Sequence, residues 1–452
     1  MKKFSVCLVL LFLIAGSLFA AELMAGAGIA CITPTADMYP QVYGTGNRQI
    51  AFIGTAGDIY VRVIALSDKG EDTTIDDTYL IVSTETCGGP YSPDFVDFLS
   101  EETGVPRDNI FWTATHLHSV PDAWYEDWGD YLDIEIRTDN PAVMLEDLSK
   151  RNRSRWCVLV QKQLLEAANE AIAEMRPAEV ALGTSTSYIN VNRDTVYDSN
   201  LVQNPFDPMG PQVSGALEGY NGQGFSDKTL SVVEFRDKNT KEPITFIVHY
   251  AMHNTLLYGN DYYNPAYFEA HGIRYADPEE ITEGTYVLND PEATVLGSPA
   301  EKNVAYCEPY QKTIKSLDSL TNADNVLGIV AANGAIHPDI GGLVSQYIEA
   351  NNPDAVALWV SGAAGDQNPV LRNTFNIESP YTGEVLEIPV DGGFIPAAVY
   401  YAGIQYQDVK DALAEIGEEE FESETPIGTA YGTDTIQPID TQYYAYDAAT
   451  GT

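Results

Sequence analysis

The chain has 452 residues, 44% of them hydrophobic, which is enough to bury one large core or two ordinary ones and excludes a disordered polymer. Its 66 acidic and 24 basic residues leave a formal charge of −42, a surface that repels nucleic-acid phosphates and anionic headgroups and so excludes a polyanionic partner. Such charge suits solubility outside the cell, with loosely held divalent cations on Asp-rich loops as a second reading.

Lys2 and Lys3 precede an apolar run over residues 4–18 and the small residues Ala20 and Ala21, the layout of a secretory signal peptide. Residues 1–20 are therefore set apart from the fold, and a periplasmic or secreted location is expected. Losing the two lysines takes the charge from −42 to −44. The run is shorter than the ~20 residues a membrane span needs, and no later segment reaches that length without charges, so no integral membrane segment is expected after cleavage.

Residues 29–34 lead into a turn-rich stretch at 39–48, and residues 59–66 read as a β-branched buried strand. A second strand is predicted at 78–84, a helix at 92–103 stopped by Gly104, and a third, continuously apolar strand at 109–115. After a Trp-, Tyr- and Asp-rich segment, Val158, Leu165, Ala168, Ile172 and Met175 mark a helix over 154–175, ended by Pro177. Strands are then predicted at 179–183, 230–235, 244–250, 326–331 and 355–360. This alternation argues for an α/β fold: one large domain over 21–452, with a mixed central sheet flanked by helices. No internal repeat is visible. Residues 259–325, rich in Tyr, Asn, Pro, Asp and Glu, read as a long insertion or lid. The tail from Glu418 is acidic, Thr-rich and Tyr-rich, with weak strand character.

Cys7 lies in the signal, leaving Cys31, Cys87, Cys157 and Cys307, an even number in a compartment that permits disulfides. Three pairings stay open. None of the four has the C-x-x-C spacing of a structural zinc site.

There are six histidines, and four fall in two tight pairs directly after predicted strands. On an extended chain His116 and His118 point the same way, at a strand end where α/β sheets place ligands. Two imidazoles on one side make a metal half-site; the competing reading is a hydrogen-bonded pair closing a strand. His249 and His253, four apart, share a side in either helix or strand. His271 and His337 stand alone. No H-E-x-x-H or G-x-S-x-G motif occurs. Residues 362–366 (Gly-Ala-Ala-Gly-Asp) lack the Gly-Lys-Ser/Thr of a phosphate loop, so a tight turn is expected there.

Residues 28–34 (Gly-Ile-Ala-Cys-Ile-Thr-Pro), 58–66 and 104–122 resemble the N-terminal, catalytic domain of the neutral/alkaline, non-lysosomal ceramidases and their bacterial relatives. The last segment holds Thr-His-Leu-His-Ser-Val-Pro-Asp, close to that family's Thr-His-Thr-His-Ser-x-Pro. Residues 190–194 (Asn-Val-Asn-Arg-Asp), 249–257 and 361–369 (Ser-Gly-Ala-Ala-Gly-Asp-Gln-Asn-Pro) match in the same order. The resemblance covers most of residues 25 to about 415. It implies Zn2+ on His116 and His253, with His118 beside the metal as a proton-handling residue and Arg193 binding a substrate oxygen or developing negative charge. Asp366 and Asn368 belong to the Gly-Asp motif that faces substrate, and His249 is structural or pocket-lining. A hydrolase of N-acyl compounds follows, with a small-molecule or lipid substrate.

The sequence departs from the family in two places. Asn368 stands where the ceramidases carry a serine; it can donate a hydrogen bond to a carbonyl but cannot act as a nucleophile. That favours, as an alternative, hydrolysis of another bond, such as an ester or a glycan N-acetyl group. The glutamate and tyrosine that complete the family's zinc site, and its C-terminal immunoglobulin-like domain, have no counterpart before Thr452, so an incomplete C-terminus is expected. His118 and Asp339, within residues 336–342 (Ile-His-Pro-Asp-Ile-Gly-Gly), are the candidates to fill out the ligand set. An exported binding protein that kept the fold without the chemistry is the reading from outside the enzymes.

Overall fold

The strand β1 (Met24–Cys31) runs antiparallel to β2 (Tyr60–Ser67), from Met24 opposite Ser67 to Cys31 opposite Tyr60. Next, β2 pairs antiparallel with β3 (Tyr79–Thr84); helix α1 (Pro93–Thr103) then returns the chain to β4 (Ile110–Ala114), parallel to β3. Helix α2 (Pro141–Ala173) closes this half. The scheme then recurs. Strands β5 (Arg176–Thr186), β6 (Thr229–Asp237) and β7 (Pro243–Tyr250) form an antiparallel meander, α3 (Asp339–Asn351) crosses over, β8 (Val356–Ser361) lies parallel to β7, and α4 (Ile395–Ala414) follows. The eight-stranded order is β8-β7-β6-β5-β1-β2-β3-β4. This computed structural model describes residues 22–35, 38, 41–43, 50–55, 57–88, 93–121, 131–137, 141–192, 194–196, 216–218, 226–256, 333–369, 376–378, 385–387 and 395–427.

The two halves join at two residue pairs, Met24 opposite Pro177 and Ala25 opposite Arg176. So short a ladder lets the sheet fold across the seam. One apolar cluster mixes Ala25, Ile64 and Leu66 of the first half with Phe235, Ile244 and Leu358 of the second. Ser83 of β3 also donates to the Trp359 carbonyl of β8 at 2.9 Å. The half-sheets therefore pack face to face, as period-two alternation allows when both faces are apolar. On the outer face of the first half, Val61, Val63 and Val82 meet Phe95 and Leu99 of α1 and Trp156, Leu164 and Ala167 of α2.

Each long helix lies across the first strand of its own half at very close range. A Cβ on Gly28 would sit 2.1 Å from the Ala167 carbonyl oxygen, and one on Gly26 2.2 Å from that of Ala171. The second half repeats the contact: a Cβ on Gly183 would sit 2.2 Å from the Ala412 carbonyl. Across the halves, the buried Arg62 of β2 forks onto Glu349 of α3 at 2.6 and 3.0 Å and also holds Glu85, just past β3. Burial pushes the Glu85 carboxyl up to about 7 even against the pull of Arg62, since one cation is shared between two carboxylates.

The α/β class and most predicted strands stand within a residue or three of their expected bounds. Helix α2 starts earlier, at Pro141, and its buried stripe is Trp156, Cys157, Val160, Leu164, Ala167, Ala168 and Ala171; Val158 is 39% exposed. The close approach to Gly26 and Gly28 puts Ala167 and Ala171 on the contact face; of the residues expected there, Ala168 is buried and Ile172 and Met175 pack against the same core, while Val158 faces outward. No helix was expected over α3 or α4. The first begins with a glycine pair, where a Cβ on Gly341 would meet Asn254 Nδ2 at 2.6 Å. The second is buried continuously from Tyr401 to Tyr406 and turns a polar side outward only near its end, at Gln407, Lys410 and Asp411. In the tail, Glu422 bridges Val180 and the Ser423 carbonyl accepts from Leu23 N–H, so among its described residues the strand character is a single bridge. The expected strand at 326–331, the insertion at 259–325 and the signal segment lie outside the described residues. Cys31, Cys87 and Cys157 form no disulfide among the described residues.

Replacing Gly28 by valine forces α2 off β1 and is expected to cost roughly 1–3 kcal/mol or more. Guanidinium unfolding measures it; an unchanged midpoint would show that the helix does not rest on the strand.

Candidate metal centre

The two parallel strand pairs, β3/β4 and β7/β8, end on the same side of the molecule, and the chain beyond them forms the site. Past β4, Leu117 makes a parallel bridge to Asn254, which follows β7, and His118 N–H donates to the Asn254 carbonyl at 3.0 Å. The Asn254 side chain donates to the Thr115 carbonyl at 2.6 Å and accepts from Gly341 N–H of α3 at 2.9 Å. Opposite ends of the sheet are thereby knit together at the level of the histidines.

His116 has φ of 59°, a left-handed conformation that costs a non-glycine residue of order 1 kcal/mol. Its orientation thus comes from a kink after the strand, not from the strand's own alternation as the sequence suggested. The result is a cluster: ring centroids lie 4.9 Å apart for His116 and His118, 4.4 Å for His116 and His253, and 5.8 Å for His118 and His253.

Backbone carbonyls orient two of the rings. His116 Nδ1 lies 2.5 Å from the Cys87 carbonyl oxygen, and His253 Nδ1 lies 2.5 Å from that of Ala364 and 3.2 Å from that of Gln367. A carbonyl only accepts, so each Nδ1 carries the proton and each Nε2 keeps its lone pair. Between His116 and His118 the two Nε2 atoms stand 3.5 Å apart, too long for a strong hydrogen bond. Two nitrogens held at 2.0–2.1 Å on one tetrahedral ion would be separated by roughly 3.4 Å.

The remaining expected residues divide. Asn368 is buried on the short strand Gln367–Pro369, which pairs with Asn190–Asn192, and its Oδ1 accepts from Thr255 Oγ1 at 3.3 Å. Asp366 accepts from Asn192 Nδ2 at 2.8 Å, next to the turn whose carbonyls hold His253. The turn expected over 362–366 is present. His249 is exposed and packs against Gly362, outside the cluster. Asp339 is buried at the start of α3 with φ of 54°, and its Oδ1 accepts from Ile340 N–H at 2.7 Å. It does not join the ligand group formed among the described residues, which is Cys87, His116 and His118. Arg193 and His271 lie outside the described residues. Sequence reasoning missed Cys87 and Asn254; the signal available for Cys87 was that it lies just past β3, the neighbour of the strand leading to His116.

These features define an α/β protein with an imidazole cluster at the ends of its parallel strand pairs. Among solved structures its fold is similar to that of neutral ceramidase from Pseudomonas aeruginosa, with 15% identity and a TM-score of 0.48 over 87% of this chain and 45% of that one. A ceramidase complexed with C2 is similar at 16% identity and a TM-score of 0.47, over 87% of this chain and 44% of that one. This chain thus spans less than half the length of either protein. No family model and no curated protein matches it. Among the described residues no helix is long and apolar enough to cross a membrane.

Replacing Asn254 by alanine leaves the Thr115 carbonyl and Gly341 N–H without their partner, and is expected to cost about 2–4 kcal/mol. Asn254→Asp, which keeps the acceptor and loses the donor, should fall between wild type and alanine in thermal melts; equal stability of all three would remove the clasp from the account.

His337 supplies a pH dependence. Its Nδ1 accepts from Asp339 N–H at 2.9 Å, and burial lowers it to about 3 from an ordinary value of 6.5. The unfolded chain therefore binds the proton first, so this contribution to stability is whole above about 6.5 and is lost as pH falls toward 3. Unfolding midpoints taken stepwise through that window should drop more steeply for wild type than for His337→Gln, and parallel curves would count against it.

Proposed function

We propose that this is an exported zinc-dependent hydrolase that cleaves the amide bond of an N-acyl compound, with His116 and His253 on the metal. The observation that carries the reading is the pairing of each Nδ1 with a main-chain carbonyl, which leaves both Nε2 lone pairs available for a cation. Ring orientation by carbonyl acceptors is how proteins prepare histidines for metals. The donor set suits a borderline-soft ion such as zinc better than magnesium or calcium.

Bound there, zinc would acidify a water and polarise a carbonyl. His118, with its ring edge 3.5 Å from His116 Nε2, is placed to take a proton from the attacking water and pass it to the leaving amine. The kink at His116 and the clasp of Asn254 keep those two rings in register. Asn368 offers an amide to the substrate carbonyl, and its own carbonyl oxygen is steadied by Thr255. Asp366 anchors Asn192, the residue before Arg193, whose guanidinium would receive developing negative charge. The N-acyl substrate class rests on the ordered motifs of the sequence, and export on residues 1–20.

Asn368 in the serine position favours a second reading on the same residues: hydrolysis of an ester or of an N-acetyl group on a glycan. A panel of N-acyl sphingoid lipids, N-acetylated sugars and simple esters separates the two. Metal analysis after dialysis should find about one zinc per chain, lost from His116→Ala and His253→Ala together with activity. Activity that survives His116→Ala in metal-free buffer would end the mechanism.

A further inference from the structure

We infer that Cys87 is a further ligand of the cation held by the histidines, its thiolate supplying the negative charge that neutral imidazoles lack. This rests on the metal reading of the site. Cys87 sits on the loop after β3, and its own carbonyl already holds the ring of His116. Its Sγ and one ring nitrogen each from His116 and His118 all lie within 4.8 Å of one another. The residue is 7% exposed and in no disulfide.

Charge makes the case for a role beyond packing. Cys87 is 7% exposed and His116 and His118 are half-buried, so a divalent ion among them would be partly withdrawn from water. With imidazoles alone it would keep its full double charge there, at a desolvation cost. The nearby carboxylates are engaged elsewhere: Glu85 by Arg62, Asp366 by Asn192, and Asp339 by the Ile340 amide. None of them joins the group that Cys87 forms with the two histidines. A thiolate and a nitrogen on one tetrahedral zinc are separated by roughly 3.5 Å, so the sulfur has at most about 1 Å to close, within reach of a Cys87 side-chain rotation. In the step the thiol gives its proton to solvent and its sulfur pair to the cation, which leaves the site with one positive charge.

Cobalt(II) titrated into the chelator-stripped full chain gives a readout independent of turnover. Visible bands of four-coordinate cobalt should appear together with a near-ultraviolet thiolate-to-cobalt charge-transfer band. Cys87→Ser should abolish the second and keep the first. In the wild-type chain, where folding is not at issue, bound cobalt or zinc should protect Cys87 from iodoacetamide, read by peptide mass spectrometry. Cobalt bands without charge transfer, charge transfer that persists in Cys87→Ser, or alkylation unchanged by metal would each overturn the thiolate ligand and leave the histidine site standing. A folded chain that takes up no cobalt would overturn both.

Discussion

Asn254 makes contacts that together close the molecule. Its amide donates to the Thr115 carbonyl while its oxygen accepts from Gly341 N–H, and its own main-chain carbonyl receives His118 N–H. An aspartate would lack the donor, and a serine would lack the reach. These bonds join the loop after β4, the loop after β7 and the start of α3. A buried clasp of this kind is worth a few kcal/mol at most as a sum of net hydrogen bonds. Its larger consequence is positional, because residues on both sides of it carry the imidazoles.

The clasp matters because of how the two halves are joined. Each half is a three-strand meander, a crossover helix, a parallel edge strand and a long helix, and the sheet links them through two residue pairs. So slender a hinge would leave the halves free to shift if nothing else crossed between them. The apolar cluster shared by the inner faces supplies the bulk of the adhesion, and Arg62 with Glu349 and Glu85 adds a directional, buried tie. The candidate centre thus sits where the ends of the two parallel strand pairs, one from each half, are brought together.

Much of this was legible in the sequence for identifiable reasons. Strands such as Tyr60–Ser67, buried on both faces, and Pro243–Tyr250, buried on one, are dense in apolar and β-branched residues, so composition marks them without a partner in view. Gly104 ends α1 with φ of 78°, as a helix stop should. The helices over α3 and α4 are obscured locally by what they touch. Gly341 is required by the nearness of Asn254 and sits at the head of the α3 stripe of Ile340, Leu343, Val344, Tyr347 and Ile348, while α4 is buried without a break from Tyr401 to Tyr406 and turns a polar side outward only at Gln407, Lys410 and Asp411. The stripe of α2 matches the expected one only at Ala168, Ile172 and Met175, since its closest contact face is alanine against glycine.

The sequence by itself determined the α/β class, the order of most elements and the presence of two histidine pairs after strands, because strand composition and side-chain chemistry are local properties. Tertiary structure decided which of those side chains meet. It set His249 against Gly362, outside the cluster, and kept Asp339 at the start of α3. It also brought in Cys87 and Asn254, which in sequence lie 29 and 138 residues from His116. Those contacts depend on the folding of the sheet across a two-pair seam and on one left-handed residue. Neither leaves a periodic trace in the chain, because both arise from long-range packing that no local preference encodes.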